Sequence, residues 1–218
     1  MKLVDKNYKN KPLFIDYCSH KIAVYSVLRW HYSRRMPKSK LVRFGVWEYG
    51  IFKGSVIYGL GANPKSGAFL NIFNHECPEL VRVALDKHDN PVSKIVSFTL
   101  KKMKKDFPKL KAIVSYADPE QNHNGSIYQA MNWSYIGKTK PAKIYIENGK
   151  EIHSKTISDR IRFKKLSKDH NLDFKVVKGK YKYVYLFDKS LQNRLDKMEK
   201  PYPTRVKQAM NDDQSYQR

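Results

Sequence analysis

The stretch from Glu79 to Asp118 restricts the fold more than any other part of the chain. Glu79-Leu80-Val81-Arg82-Val83-Ala84-Leu85 alternates in the manner of a strand. Asn90 stands where it can cap a helix whose first residue is Pro91, a position at which a missing N–H costs nothing. Val92, Ile95, Val96, Thr99 and Met103 then recur at helical spacing, with Lys101, Lys102, Lys104 and Lys105 on the opposite face. Phe107-Pro108 stops that helix, and Ala112-Ile113-Val114-Ser115-Tyr116 reads as a short buried strand. Asp118 therefore falls just past a strand's C-terminal end, where open α/β sheets set their chemistry.

The flanking segments fit the same architecture. Residues 23–30 read as a short helix ending near His31, followed by a basic loop over residues 33–40. Residues 41–47 and 51–58 are β-rich and meet at Tyr49-Gly50, which predicts a hairpin. Gly59, Gly61, Asn63-Pro64 and Gly67 break the pattern into a loop; Gly59-x-Gly61 is too short for a dinucleotide fingerprint. A short helix over residues 126–131, a strand over 134–137 and a hairpin around Asn148-Gly149 follow. The order predicts an α/β fold, a mixed sheet flanked by helices. Beyond Ser158 the chain turns to charge, which suggests a catalytic core at residues 1–157, a basic C-terminal extension at 158–200 and a flexible tail at 201–218.

Charge narrows the partners. Lys and Arg number 43 against 20 Asp and Glu, a formal charge of +23. That excess carries a large self-repulsion unless a polyanion shares it, so nucleic acid is the first partner to expect. No run of about 18 apolar residues suits a bilayer and no secretory signal is evident, which points to a cytoplasmic protein with no membrane partner. Cys18 and Cys77 are too few for a disulfide framework or a four-ligand zinc site; a catalytic thiol at Cys77, between Glu76 and Glu79, is a minor alternative.

Seven motifs in order carry a family resemblance: His31-Tyr32-Ser33, Met36-Pro37, Gly59-Leu60-Gly61-Ala62-Asn63, Glu79 to Leu85, Pro91-Val92-Ser93-Lys94-Ile95, Val114 to Gln121, and Gly125 to Trp133. Together they resemble the phage Mom family of DNA-modifying proteins from about Trp30 to Ser158. The resemblance implies a divergent Gcn5-related (GNAT-like) N-acetyltransferase fold, and conversion of adenine at N6 to a methylcarbamoyl-type, acetamido-like derivative that protects phage DNA from host restriction. It implies acetyl-CoA as cofactor, a bound iron, and action in the host cytoplasm.

Residue roles follow. Tyr128, in a segment similar to the acetyltransferase helix whose tyrosine protonates the departing thiolate, is the expected general acid. Glu79 is the favoured carboxylate to orient or deprotonate the amine, with Glu76 beside it. His31, Tyr32 and Asp118 match the family positions associated with the metal, and imidazole, phenolate and carboxylate are a reasonable set for iron. The turn before the long helix, Asp86-Lys87-His88-Asp89-Asn90-Pro91-Val92-Ser93-Lys94, lacks the glycines with which acetyltransferases cradle the CoA pyrophosphate. Lys87, Ser93 and Lys94 are the expected substitutes. Lys101, Lys105, Lys155, Arg160, Arg162 and Lys164 are the candidate phosphate contacts to double-stranded DNA with a flipped adenine, for which Trp30, Tyr32, Tyr116 and Trp133 offer stacking surfaces. The rival readings are a conventional N-acetyltransferase acting on a protein or small amine, a non-catalytic nucleic-acid-binding protein and, more weakly, a metal nuclease built on Glu76, Glu79 and Asp118.

Overall fold

The computed structural model describes residues 10, 12–60, 65–168 and 170–204. Its main sheet has seven strands: β1 (Phe14–Tyr17), β2 (Leu41–Glu48), β3 (Ile51–Gly59), β4 (Glu79–Leu85), β5 (Ala112–Ala117), β6 (Ser134–Lys138) and β10 (Tyr181–Leu186), in the order β1-β2-β3-β4-β5-β10-β6. The helices are α1 (His20–Trp30), α2 (Val92–Asp106), α3 (Ser126–Gln129), α4 (Ser154–Arg162) and α5 (Gln192–Asp196). A second sheet of three strands, ordered β8-β7-β9, consists of β7 (Ala142–Glu147), β8 (Lys150–His153) and β9 (Phe174–Val177).

Side-chain alternation divides the core. Val56 and Tyr58 of β3 and Ile113 of β5 pack with Ile95, Val96, Leu100 and Met103 of α2, while Ile57 of β3 and Ala84 of β4 meet Ala23 and Val27 of α1. Ala112 and Val114 pack with Val184, Leu186 and Leu195, which brings α5 onto β5 and β10. The buried positions of α2 fall on the expected stripe, with Leu100 added. The helix starts one residue later than expected: Pro91 is its cap, and Asn90 instead donates its side-chain amide to Glu48 Oε1 at 2.8 Å. Both hairpins have the turn chemistry their residues demand, with positive φ at Tyr49 and Gly50 and at Asn148 and Gly149.

Strand pairing is antiparallel except between β4 and β5, which run parallel and share only two register pairs, Glu79↔Val114 and Leu80↔Ser115. Past those residues the strands part. β4 also carries a bulge against β3, where Ile57 opposes Arg82 and Tyr58 opposes Leu80, leaving Val81 as the extra residue.

The segment expected as an appended extension contributes to the main sheet. β10 lies between β5 and β6, antiparallel to both, and Tyr183 and Val184 are buried in the core. The lysines before and within this strand, Lys175, Lys178, Lys180 and Lys182, gave the segment the look of a charged extension although Tyr183 to Phe187 is an unbroken apolar run. The small sheet and α4 form an excursion between β6 and β10. Its root is held by Thr139 N donating to Lys180 O and Lys180 N donating to Thr139 Oγ1, both at 2.9 Å. Gly179 approaches the Thr139 carbonyl so closely that no side chain fits there. Residues 201–204, expected in the tail, dock on the sheet, with Tyr202 Oη donating to Trp133 O at 3.0 Å; residues 205–218 lie outside the described residues, as do 61–64 of the glycine loop.

A chain ending at residue 157 loses β10 and leaves the inner edges of β5 and β6 unpaired. It is expected to show no cooperative thermal transition, whereas a chain ending at residue 204 unfolds cooperatively; circular dichroism melting of the two checks this.

Candidate active site at the parting of two strands

A cavity of about 440 Å³ opens where β4 and β5 diverge. Glu79, Arg82, Tyr116, Asp118, Tyr128 and Lys180 line it, with Trp30, His31 and Tyr32 from the end of α1 and His123 from the loop after β5. All five residues expected to carry chemistry, Tyr128, Asp118, Glu79, His31 and Tyr32, thus meet in one place.

Each is set there by local structure. Ser19 caps α1 by accepting from Ile22 N, and the helix ends where His31 turns to extended backbone, so His31 and Tyr32 emerge at its C-terminus. Ser33 N donates to His31 Nδ1 at 3.1 Å. An amide can only donate, so the neutral ring carries its proton on Nε2. Burial, aided by Arg82, His123 and Lys180, lowers the His31 pKa to about 4, which keeps the ring neutral. Its plane stacks on Tyr32 with centroids 4.4 Å apart.

Asp118 follows β5 and caps the short turn Pro119–Gln121, its Oδ1 accepting from Glu120 N at 3.1 Å. Its Oδ2 lies 2.8 Å from Lys180 Nζ and 3.5 Å from Tyr32 Oη. Burial works against the Lys180 charge, but the Asp118 hydrogen bond and the Tyr32 and Asp118 oxygens hold its pKa above the ordinary value. Lys180 was not legible as a site residue. It reaches Asp118 because β10 pairs with β5 in the register Tyr181↔Ala117, which sets the preceding Lys180 beside the residue after Ala117.

Glu79 and Tyr128 approach the opening from opposite faces of the sheet. Leu80 and Ser115 are paired and face α2 and α3, so the alternating Glu79 faces the α1 side. Burial raises the Glu79 pKa to about 7, with Arg82 and Lys180 opposing the rise. Tyr128 stands on α3, which Gly125 enters at φ 84° with Tyr183's ring in the space a side chain would fill. Burial pushes the Tyr128 phenol up to about 12. Ser115 Oγ lies 2.8 Å from Tyr128 Oη and 2.9 Å from Leu80 O; one serine proton cannot serve both, so with Leu80 served, Tyr128 donates to Ser115.

Other expectations resolve differently. Glu76 is paired with Lys111 at 2.8 Å and accepts from Phe73 N, away from the cleft, so the three carboxylates of a nuclease site do not assemble. Cys77 is buried and its thiol is raised to about 12 by burial, which leaves no thiolate. Trp133 is fully buried in the core. Lys104 donates to Pro108 O and Leu110 O below α2 and Lys102 pairs with Asp16, which leaves Lys101 and Lys105 on the exposed face. Arg160 is committed to Glu147 at 2.9 Å, whereas Lys155, Arg162 and Lys164 stand exposed on and just after α4.

The missing glycine loop has a structural counterpart. Glu48, fully buried at the end of β2, accepts from Asp89 N at 2.9 Å and from Asn90 N and Nδ2 at 2.8 Å. Burial works to raise its pKa, and these hydrogen bonds with Lys53 hold it below the ordinary value. An internal carboxylate thus occupies amides that a glycine-rich turn would offer to a phosphate. The cleft still reaches α2 through His88 and Val92, and the α2 ladder begins only with Ile95 N to Pro91 O, so the first-turn amides precede it. Lys87, Ser93 and Lys94 lie outside the cavity wall, and Lys94 Nζ donates to Asn90 Oδ1 at 2.9 Å.

The same donor geometry bears on iron. His31, Tyr32 and Asp118 converge, but Lys180 holds Asp118 Oδ2 and Arg82 adds a second cation to the wall. Among the described residues no three His, Cys, Asp or Glu side chains form a metal-binding group. As arranged, the set does not fit a resident iron ion.

The sequence model of the Mom protein family matches residues 12–204. The chain belongs to the Mom protein family. Within curated proteins it is similar to the methylcarbamoylase mom of Escherichia phage Mu, 28% identical over 209 residues that cover 90% of this chain and 86% of that protein. Among solved structures it is similar to the spermidine N-acetyltransferase of Vibrio cholerae in an intermediate state, at TM-score 0.49 and 11% identity over 84% of this chain and 99% of that one. A GNAT family acetyltransferase from Elizabethkingia anophelis with acetyl-CoA bound gives TM-score 0.45 and 10% identity, over 82% and 100%. No helix among the described residues of this Mom family member is long and apolar enough to cross a membrane.

Removing the Glu48 acceptor orphans three donors. Glu48→Ala is expected to cost about 1–3 kcal/mol of stability, read as a lowered urea midpoint at unchanged slope.

Proposed function

We propose that this chain is a DNA-modifying transferase that places a methylcarbamoyl-type group on N6 of adenine and so protects phage DNA from host restriction. The observation that carries this reading is the meeting, in one strand-parting cleft, of a carboxyl raised to about 7 and a phenol raised to about 12 on opposite faces of the sheet. The kinship with a methylcarbamoylase supports the class of group transferred. The host cytoplasm is then the place of action.

An exocyclic amine of adenine is a weak nucleophile because its lone pair is delocalised into the ring. Glu79, ionised above neutrality, takes a proton from the attacking nitrogen. Tyr128 is protonated at neutral pH and gives its proton to a leaving thiolate by turning its hydroxyl from Ser115, which holds it at rest, into the cleft. Acetyl-CoA, when bound, would supply an acetyl group as a thioester, and the further nitrogen of a methylcarbamoyl-type product requires an amine-nitrogen donor besides it. The free edge of β4 beyond Leu80 suits the extended, amide-bearing arm of that cofactor, since those residues have no partner in β5. Its phosphates would lie toward the first turn of α2, with Lys87, Ser93 and Lys94 at hand.

DNA would approach over the exposed cations Lys101, Lys105, Lys155, Arg162 and Lys164, with Arg160 joining them only by leaving Glu147. Such contacts set position, and the adenine reaches the cleft by leaving the stack. Binding to duplex DNA is expected to weaken steeply as salt rises, by about tenfold or more from low to physiological ionic strength; a flat response in an anisotropy titration counts against a phosphate interface.

Nucleosides from a bacterial host expressing the chain are expected to include a heavier adenine derivative by mass spectrometry, reduced about 100-fold or more in Glu79→Gln and Tyr128→Phe. Unmodified DNA from cells containing the folded wild type overturns the reading. In purified form the rate is expected to rise with pH through about 7 as Glu79 loses its proton. Arg82→Ala moves that limb upward, since Arg82 opposes the rise in Glu79's pKa; a pH–rate profile checks both.

A further inference from the structure

We propose that Asp118 and Lys180, backed by the Tyr32–His31 stack, form a base-reading subsite that admits a nucleobase bearing an exocyclic amine and turns away one bearing a keto group. The inference rests on the transferase reading for the identity of the substrate polymer, and on three observations for the site.

The first is a preformed acceptor–donor pair. Asp118 Oδ2 and Lys180 Nζ are 2.8 Å apart on the cleft wall. Asp118 is largely covered, its side chain 11% exposed, while Lys180 is 43% exposed and keeps further N–H donors for the cavity. Adenine presents an amino donor beside a ring-nitrogen acceptor, the complement of that pair, in the way that an Asn side chain reads it elsewhere. Hypoxanthine differs at the exocyclic atom, where a carbonyl oxygen would face the Asp118 carboxylate. The contact changes from attraction to repulsion, and the Asp118 lone pair loses its partner.

The second is an aromatic surface at the right place. Tyr32 Oη lies 3.5 Å from Asp118 Oδ2, the residue as a whole is 48% exposed, and one face of its ring rests on His31 at 4.4 Å. His123 meets it edge-on at 6.1 Å. A ring held from behind and bare in front is a stacking platform for a planar base.

The third is rigidity. Asp118 is fixed by the N–H of Glu120, the Lys180 backbone is held by its double clamp to Thr139, and Lys180 Nζ is held by Asp118 itself. Glu120 Oε1 also accepts from Lys178 N at 3.1 Å, tying the Asp118 turn to the segment that carries Lys180. The reading pair is thus positioned before any ligand arrives, as specificity requires.

Single-stranded oligodeoxyadenylate and oligodeoxyinosinate of equal length isolate this effect, because their phosphate contacts cancel. The full chain is expected to bind the first about tenfold or more tightly in anisotropy titrations. Asp118→Ala, which removes the acceptor, and Lys180→Met bring the ratio toward one, and Lys180→Arg, which keeps a donor, preserves it. Tyr32→Leu weakens both oligomers by about fivefold or more with the ratio retained, and Tyr32→Trp restores both. Equal binding of the two oligomers by the wild type, or a ratio unmoved in both Asp118→Ala and Lys180→Met, overturns the inference. Discrimination without any adenine adduct in host DNA leaves the subsite standing and removes the transferase reading instead.

Discussion

β4 and β5 run in parallel but stay joined through only two residue pairs, and the candidate site lies in the cavity where they separate. A parallel pair carried to full length would leave no opening between β4 and β5. Here the ladder ends at Leu80 and Ser115, backbone groups on one edge of β4 go unmatched, and a cavity passes between the strands. Side-chain alternation then places the Glu79 carboxyl on one face, and α3 brings the Tyr128 phenol to the other. Burial in this opening disfavours charge on both, which leaves Tyr128 an acid and Glu79 poised near neutrality.

Closure of the sheet on the far side depends on a strand from late in the chain. β10 inserts between β5 and β6, and the charged excursion of β7, β8, α4 and β9 hangs from its N-terminal end. Because Tyr181 pairs with Ala117, that end coincides with the C-terminal end of β5, where Asp118 stands. The same register that completes the core therefore brings Lys180 into the cleft and roots the basic module beside it. Charge that looked like a coat on an appended segment is partly structural: Arg160 holds Glu147, Lys175 holds Glu151, and Lys180 holds Asp118.

Glu48 gives a physical reason for the absence of a glycine-rich phosphate turn. A buried carboxylate must be matched by donors, and it finds them in the amides of Asp89 and Asn90. The loop is thereby held from within.

Much of the fold was legible in the residues themselves. The helix from Val92, both positive-φ hairpin turns, the strand at Ala112 and the position of Asp118 follow from periodicity and turn chemistry, which act over a few neighbours. The membership of His31, Tyr32, Glu79, Asp118 and Tyr128 in one site came from motif resemblance, and local physics alone could not have joined side chains so far apart in sequence. What only the tertiary structure decided is pairing: that β10 belongs inside the sheet, that Glu48 takes the amides of Asp89 and Asn90, that Glu76 goes to Lys111, and that Lys180 meets Asp118. Local sequence specifies which segments form strands and helices, because those preferences reside in each residue and its near neighbours. Which strand lies beside which is settled by burial across the whole sheet, and so the composition of the cleft was settled there too.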